Sequence, residues 1–235
     1  MNRLRIYILF WLINLSAVQL FAQQDSIHLE AKKSITEKPL TDSLAHKQAG
    51  KLFVGVDLYS PALSAFSDRQ GGMAFASYRI YKKWNLVAEI GYESNTYDNL
   101  DWLVDVNGNY FKFGFNWFIS QDYQDLSSGF YTGARFAYSA YKQEIKQYPV
   151  RLAGNQVDAY GSLPKESVST YWIEMAGGAR LRLISKLYAD VSLKSQILIG
   201  GKKQQDIDPL VIPGYGKNRG SINFGVVWGL SWKFF

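Results

Sequence analysis

The stretch SINFGVVWGLSWKFF, residues 221–235, decides the fold. Ile222, Phe224, Val226, Trp228, Leu230, Trp232 and Phe234 take every second position. Asn223, Gly225, Val227, Gly229, Ser231 and Lys233, mostly small or polar, fill the places between them. A period of two is the signature of a strand with one apolar and one polar face. No turn residue interrupts it. A strand this long, with Phe and Trp on one side and Gly, Ser, Asn and Lys on the other, fits a wall between lipid and a polar lumen.

Working outward from that strand, the same alternation recurs seven times from Lys51 onward. A strand near 51–59 turns Leu52, Val54, Val56 and Leu58 outward and Phe53, Gly55, Asp57 and Tyr59 inward. A second, near 72–81, alternates Ala74, Ala76, Tyr78 and Ile80 with Phe75, Ser77, Arg79 and Tyr81. The third, near 85–96, sets Leu86, Ala88, Ile90 and Tyr92 against Glu89, Gly91 and Glu93. In the fourth, near 108–119, Phe111, Phe113, Phe115 and Trp117 oppose Tyr110, Lys112, Gly114 and Asn116. The remaining three run near 129–141, 170–183 and 187–199, with Arg135, Glu174, Arg180, Arg182, Asp190 and Lys194 on their polar faces. Eight strands is an even number, as single-chain bacterial barrels require. The expected fold is an all-β, eight-stranded antiparallel outer-membrane β-barrel over residues 51–235.

The connections carry independent information. Short turns fall around Lys82-Lys83 and Ser185-Lys186, and a moderate one spans 120–128. Longer connections near 60–71, 97–107, 142–168 and 200–220 alternate with them. Long loops therefore gather at one end, expected outside the cell, and both barrel termini at the other, periplasmic end. Trp84, Trp117, Trp228, Trp232 and Phe234 are expected to be membrane-facing anchors, with the rim positions at headgroup depth. Tyr59, Tyr97, Trp102, Tyr138 and Tyr171 are expected near the opposite rim.

With faces assigned, nearly every charge within a strand points inward. Asp57, Glu89, Glu93, Glu174 and Asp190 face Arg79, Lys112, Arg135, Arg180, Arg182, Lys194 and Lys233. On the lipid side a midplane Arg or Lys costs roughly 2–4 kcal/mol; inside, the charges can pair. The hairpin geometry predicts Arg79 against Glu89, and Arg180 or Arg182 against Asp190. An eight-stranded barrel is just wide enough for side chains to fill, so this network is expected to plug the lumen.

Residues 1–22 read as a secretory signal peptide, with Arg3 and Arg5 before the apolar run Ile6 to Ile13 and Ala22 at the end. Residues 23–50 are polar and aperiodic, the composition of a flexible periplasmic segment. The net charge of +6 falls to +4 without Arg3 and Arg5, and the bases are scattered, which excludes a nucleic-acid patch. Cysteine is absent, so disulfides, thiol nucleophiles and attachment of lipid to an N-terminal cysteine are excluded.

Catalytic machinery is not expected. Both histidines, His28 and His46, precede the barrel, leaving a Ser-His or Asp-His site without its base. Glu89 and Glu93 are the nearest approach to a carboxylate pair, more simply read as ion-pair partners. Asp98, Asp101, Asp105 and Asn107 offer oxygen ligands but no closing bidentate Glu, so no metal or other cofactor is expected.

Gly55-Val56-Asp57, Glu89 to Glu93, Gly108 to Gly114, Gly133 to Phe136 and Tyr171 to Glu174 resemble the pattern of a Bacteroidetes family of small outer-membrane barrels catalogued as a domain of unknown function. The resemblance spans roughly 50–235 and is most specific at Trp172-Ile173-Glu174. It implies fold and location, and no activity. The partners expected are outer-membrane lipid, the barrel-assembly machinery and an extracellular ligand at loops 142–168 and 200–220. The function expected is structural, adhesive or recognition, without catalysis. A narrow solute channel and a secreted lipocalin-like barrel are the alternatives.

Overall fold

The computed structural model describes residues 51–235 apart from 65, 68, 100, 152–156, 206, 219 and 221. The expected signal peptide, the segment 23–50 and both histidines lie outside the described residues. Strands β1 (Leu52–Asp57), β2 (Gln70–Tyr81), β3 (Trp84–Asn99), β4 (Trp102–Gln121), β5 (Gly129–Val150), β6 (Ala159–Ile184) and β7 (Leu187–Gly201) are followed by β8 (Val211–Ile212), β9 (Gly216–Lys217) and β10 (Ile222–Lys233). A six-residue helix, α1 (Tyr59–Ser64), joins β1 to β2. Each barrel strand pairs antiparallel with its chain neighbours, and β10 closes on β1 with Val54 opposite Trp232 and Val56 opposite Leu230. The result is a closed eight-stranded antiparallel up-and-down barrel, with β8 and β9 forming a separate hairpin.

Alternation puts the predicted faces where a lipid-spanning barrel needs them. Phe111, Phe113, Phe115 and Trp117 on β4 are 39–50% exposed on the outside, while their neighbours Tyr110, Lys112 and Asn116 are buried inside. Trp228 and Trp232 on β10 likewise point out, and Ser231 points in. A soluble lipocalin-like barrel is the inverse arrangement, with its apolar face at the centre, and the structure excludes it. Trp84 stacks on Trp117 with ring centroids 6.3 Å apart, at the edge of this apolar belt.

The turns match the tight connections predicted. Lys82 and Ser185 take positive φ (27° and 37°) in the two shortest ones. The last residue folds against the first strand, with Leu52 N donating to Phe235 O at 2.9 Å. Phe234 and Phe235 are both exposed at this rim.

Three expectations about the other end are corrected. The segments 97–107 and 142–168 are mostly strand: β5 and β6 run for 22 and 26 residues, whereas about 9–11 suffice to cross hydrocarbon. The surplus projects as a sheet beyond the belt, whose upper edge lies near Asn109, Ala140 and Ser169, side by side in register. Alternation there was diluted by polar residues on the outer face, which made strand read as loop. The segment 200–220 is no outward loop either; β7 extends through Gly201, and the β8–β9 hairpin turns inward. Tyr97 and Trp102 belong to the inner face of the extension, Trp102 packing against Tyr148, and are not an outer girdle. At the short-turn end, an irregularity between Arg79 and Tyr81 swings Tyr81 out to 64% exposure, against its expected inward position.

Candidate functional site

The lumen is built in layers. At its middle, Glu174, fully buried on β6, accepts hydrogen bonds from Lys112 Nζ at 2.6 Å, Gln196 Nε2 at 2.7 Å and Trp172 Nε1 at 2.8 Å. Glu89 on β3 lies 2.7 Å from Lys194 Nζ and 2.7 Å from Arg135 Nε. Lys194 also stands 3.5 Å from Glu174, joining the two carboxylates. Five strands contribute to this cluster. Charges here pair because they are far from water, where a lone ion costs several kcal/mol.

Nearer the short-turn end, Arg180 Nε bonds Asp190 Oδ1 at 2.7 Å, and the Ser231 hydroxyl bonds the other oxygen. The Arg180 guanidinium lies over the Phe53 ring at 4.3 Å. Beneath it the turn between β4 and β5 folds across the opening. Tyr188 Oη donates to Asp125 Oδ2 at 2.9 Å, and Arg79 Nη2 donates to Leu126 O at 2.7 Å. The moderate loop of the sequence reading is thus a cork.

The opposite opening is filled by the β8–β9 hairpin. Val211, Ile212 and Tyr215 are buried among Val104, Val106, Ile145 and Trp172, giving the upper lumen an apolar core. Tyr215 meets Trp172 edge-on with centroids 5.6 Å apart. Gly214, at φ 79°, donates its N–H to Glu93 Oε2 at 3.0 Å and accepts from Lys112 Nζ at 3.0 Å. A Cβ there would sit 2.5 Å from the Tyr110 ring, so both conformation and close approach call for glycine. Sequence reasoning read this glycine as loop punctuation. The signal that it was something else was the apolar run Leu210-Val211-Ile212 in a loop otherwise polar.

Several predicted site residues sit elsewhere. Asp57 caps α1, accepting from Tyr59 N and Ser60 N at 3.0 Å each, instead of joining the lumenal pairs. Arg79 does not meet Glu89; it faces Asn85 in register and is spent on the cork. Arg182 is exposed at the rim, 3.7 Å from Asp125. Lys233 is half-buried at the same rim and joins no ion pair among the described residues. Glu93 bonds Arg69, a residue absent from the predicted network, at 2.9 Å.

Between the plug and β10 lies a cavity of about 240 Å³, bordered by Arg69, Tyr110, Lys112, Lys194, Gln196 and Asn223. It exists because β10 presents only Asn223, Gly225 and Val227 inward here. The cations that line it are Arg69, Lys112, Lys194 and Lys217. The first three are held by Glu93, Glu174 and Glu89, and the Lys217 ammonium lies over the Tyr97 ring at 5.3 Å. Glu89 and Glu93 are both held by cations, and neither is free for acid–base work.

Outside the belt, two of the carboxylates considered as metal ligands, Asp101 and Asp105, are spent within the extension. Asp105 is bonded by Lys146 and by Thr96 Oγ1 at 2.9 Å. Burial alone would raise its carboxyl, but the Lys146 and Thr96 hydrogen bonds outweigh that and hold it below the ordinary carboxylate value. Asp101 accepts from Tyr160 Oη at 3.0 Å, which raises the phenol. No group of three or more potential metal ligands occurs among the described residues.

Solved structures with a similar course include Ail, the attachment invasion locus protein of Yersinia pestis, at 10% identity and a TM-score of 0.42, over 80% of this chain and all of Ail. The same protein in complex with the heparin analogue sucrose octasulfate gives 11% and 0.40, over 80% and 100%. Neisserial surface protein A gives 10% and 0.39, over 78% of this chain and 95% of its own. No curated protein matches the sequence. A family model described as a domain of unknown function, DUF6048, matches residues 2–234, and the chain belongs to that family.

Proposed function

We propose that the protein is a non-enzymatic integral barrel of the bacterial outer membrane, exported by its N-terminal signal and inserted by the barrel-assembly machinery. Its closed lumen acts as a rigid stem for the β3–β6 extension, which serves a structural, adhesive or recognition role outside the cell. The observation that carries this reading is the inversion of polarity across the wall: Phe113 and Trp228 outside, Glu174 and Lys194 inside. Such a surface is stable only against hydrocarbon. Conduction is not part of the proposal, since cork, ion pairs and plug lie in series along the axis. Any extracellular ligand is assigned to the tips of the extension, not to 200–220.

The absence of native cysteine supplies the test. Single cysteines replace Phe113, Lys146 and Lys82 in turn, and cells are treated with a membrane-impermeant maleimide. Lys146→Cys should label on intact cells, and Lys82→Cys only after the outer membrane is permeabilised. Phe113→Cys should react only with a lipid-soluble maleimide. Equal labelling of all three on the detergent-free protein in the periplasm would overturn the placement. For the recognition role, cells carrying a variant with a shortened β5–β6 hairpin should lose adhesion to surfaces that wild-type cells hold; unchanged adhesion argues for a purely structural barrel.

A further inference from the structure

We propose that the short-turn rim is a docking collar for anionic phospholipid, an interrupted ring of cations that takes phosphodiester headgroups from the adjoining leaflet. The inference rests on the membrane reading above. Folding brings to this rim residues from both ends of the barrel sequence: Lys51 ahead of β1, Lys82 and Lys83 in the β2–β3 turn, Arg182 and Lys186 at the β6–β7 turn, and Lys233 on β10. The backbone ties these sites together. Lys233 N donates to Lys186 O at 2.8 Å, Arg79 N to Lys51 O at 2.7 Å, and Phe118 N to Lys83 O at 2.9 Å. All but the half-buried Lys233 are exposed.

The acidic side chains at this rim are Asp122 and Asp125, both on the β4–β5 turn. Asp125 is buried and already bonded by Ser128 and Tyr188, with Arg182 3.7 Å away. Lys51, Lys82, Lys83 and Lys186 have no carboxylate partner among the described residues; Lys82 leans over the Tyr81 ring at 5.8 Å, and Lys83 reaches Ile119 O at 3.4 Å.

The opposite end treats its charges differently. There Lys146 pairs with Asp105, Arg151 with Asp101, Lys202 with Glu166 and Lys203 with Asp208. The extension thus pairs four of its cations with carboxylates, whereas the short-turn end leaves Lys51, Lys82, Lys83 and Lys186 without one among the described residues. Unshared like charges repel unless an external anion lies between them.

Position names that anion. Immediately inside the collar, Trp84, Trp117 and Trp232 point outward from the barrel wall, the depth at which indoles meet headgroups. Lysine stems beside them extend along the apolar surface and deliver their ammonium groups to the phosphate layer. A soluble acidic partner would gain nothing from an adjoining indole girdle; a phospholipid uses both.

The experiment is native mass spectrometry of the full-length protein released from mixed micelles of phosphatidylglycerol and phosphatidylethanolamine in equal amounts. Wild type should retain phosphatidylglycerol preferentially, and 0.5 M salt in the micelle buffer should erase the preference. Each cation near a charged surface is worth roughly a fivefold change in partitioning, so K82Q/K83Q/K186Q should reduce the preference by at least tenfold. K142Q/K146Q/K165Q, at the other end, should leave it intact. Folding of each variant is checked by its heat-shifted electrophoretic mobility, and the salt arm needs no variant at all. Equal retention of both lipids by wild type, or equal loss from the two triple variants, overturns the collar. Wild type that shows no lipid preference but pulls down with cell-wall sacculi would overturn it in favour of a cell-wall contact. A protein that stays soluble and folded without detergent refutes the membrane reading itself, a separate outcome.

Discussion

Replacing Glu174 by Gln keeps the shape of the central layer and removes one charge. The residue is fully buried and gathers Lys112, Gln196 and Trp172 within 2.8 Å, with Lys194 at 3.5 Å. In the variant, Lys112, Lys194 and Arg135 share Glu89 as their one remaining carboxylate in that layer. Breaking one side of a buried pair costs about 3–5 kcal/mol, mostly from the stranded partner. The expected loss is therefore in that range, and K112M/E174Q, which removes both charges, should recover at least about 2 kcal/mol of it. Guanidinium unfolding of the vesicle-inserted barrel, followed by the fluorescence of its six tryptophans, Trp84 to Trp232, reads both values. If E174Q falls within about 0.5 kcal/mol of wild type, or if the double variant loses the sum of the single effects, the central pairs do not carry stability.

Gly214→Val places a side chain against the Tyr110 ring at a positive φ; the plug should dislodge, making 202–221 cleavable by proteinase K while the barrel keeps its heat-shifted mobility. Phe113→Arg puts a cation on the apolar belt and should cost roughly 2–4 kcal/mol in vesicle unfolding, with no comparable loss for Lys142→Gln above the belt. The Asp105 carboxyl titrates below its unfolded value, so its support of the extension is present above the ordinary carboxylate range and lost as pH falls through the folded value. Lys146 is raised by the same bond, and its share is lost as pH rises past the folded lysine value. Hydrogen exchange in the β3–β5 extension should accelerate at both extremes, and Asp105→Asn should flatten both limbs.

Period-two alternation is a local property, and it was enough for the eight wall-forming stretches, their faces and the even strand count of a closed ring. Each side chain's side of the wall follows from its parity within about ten residues, as the Phe111–Trp117 run shows. The charged filling was legible for the same reason: Arg135, Glu174 and Lys194 had nowhere else to point. Which charge meets which was not legible. Lys194 reaches Glu89 across 105 positions and Lys112 reaches Glu174 across 62, contacts set by strand tilt and stagger around the ring. The adjacent-hairpin rule put Arg79 on Glu89, but Arg79 lies nearer the short-turn rim, where the β4–β5 turn supplies a carbonyl instead.

The ends show the same division. Polar outer faces on 97–107 and 142–168 hid strands whose inner residues, Val104, Val106 and Ile145, are apolar only because the plug covers them. From the sequence, Leu210-Val211-Ile212 was a short greasy run among prolines and glycines; only the folded ring offered it an apolar socket. What the sequence determined alone was therefore the wall and its two solvents, because each residue's face depends on its immediate neighbours. The seals and the pairings belonged to the tertiary structure, because they join segments that meet only after the ring has closed.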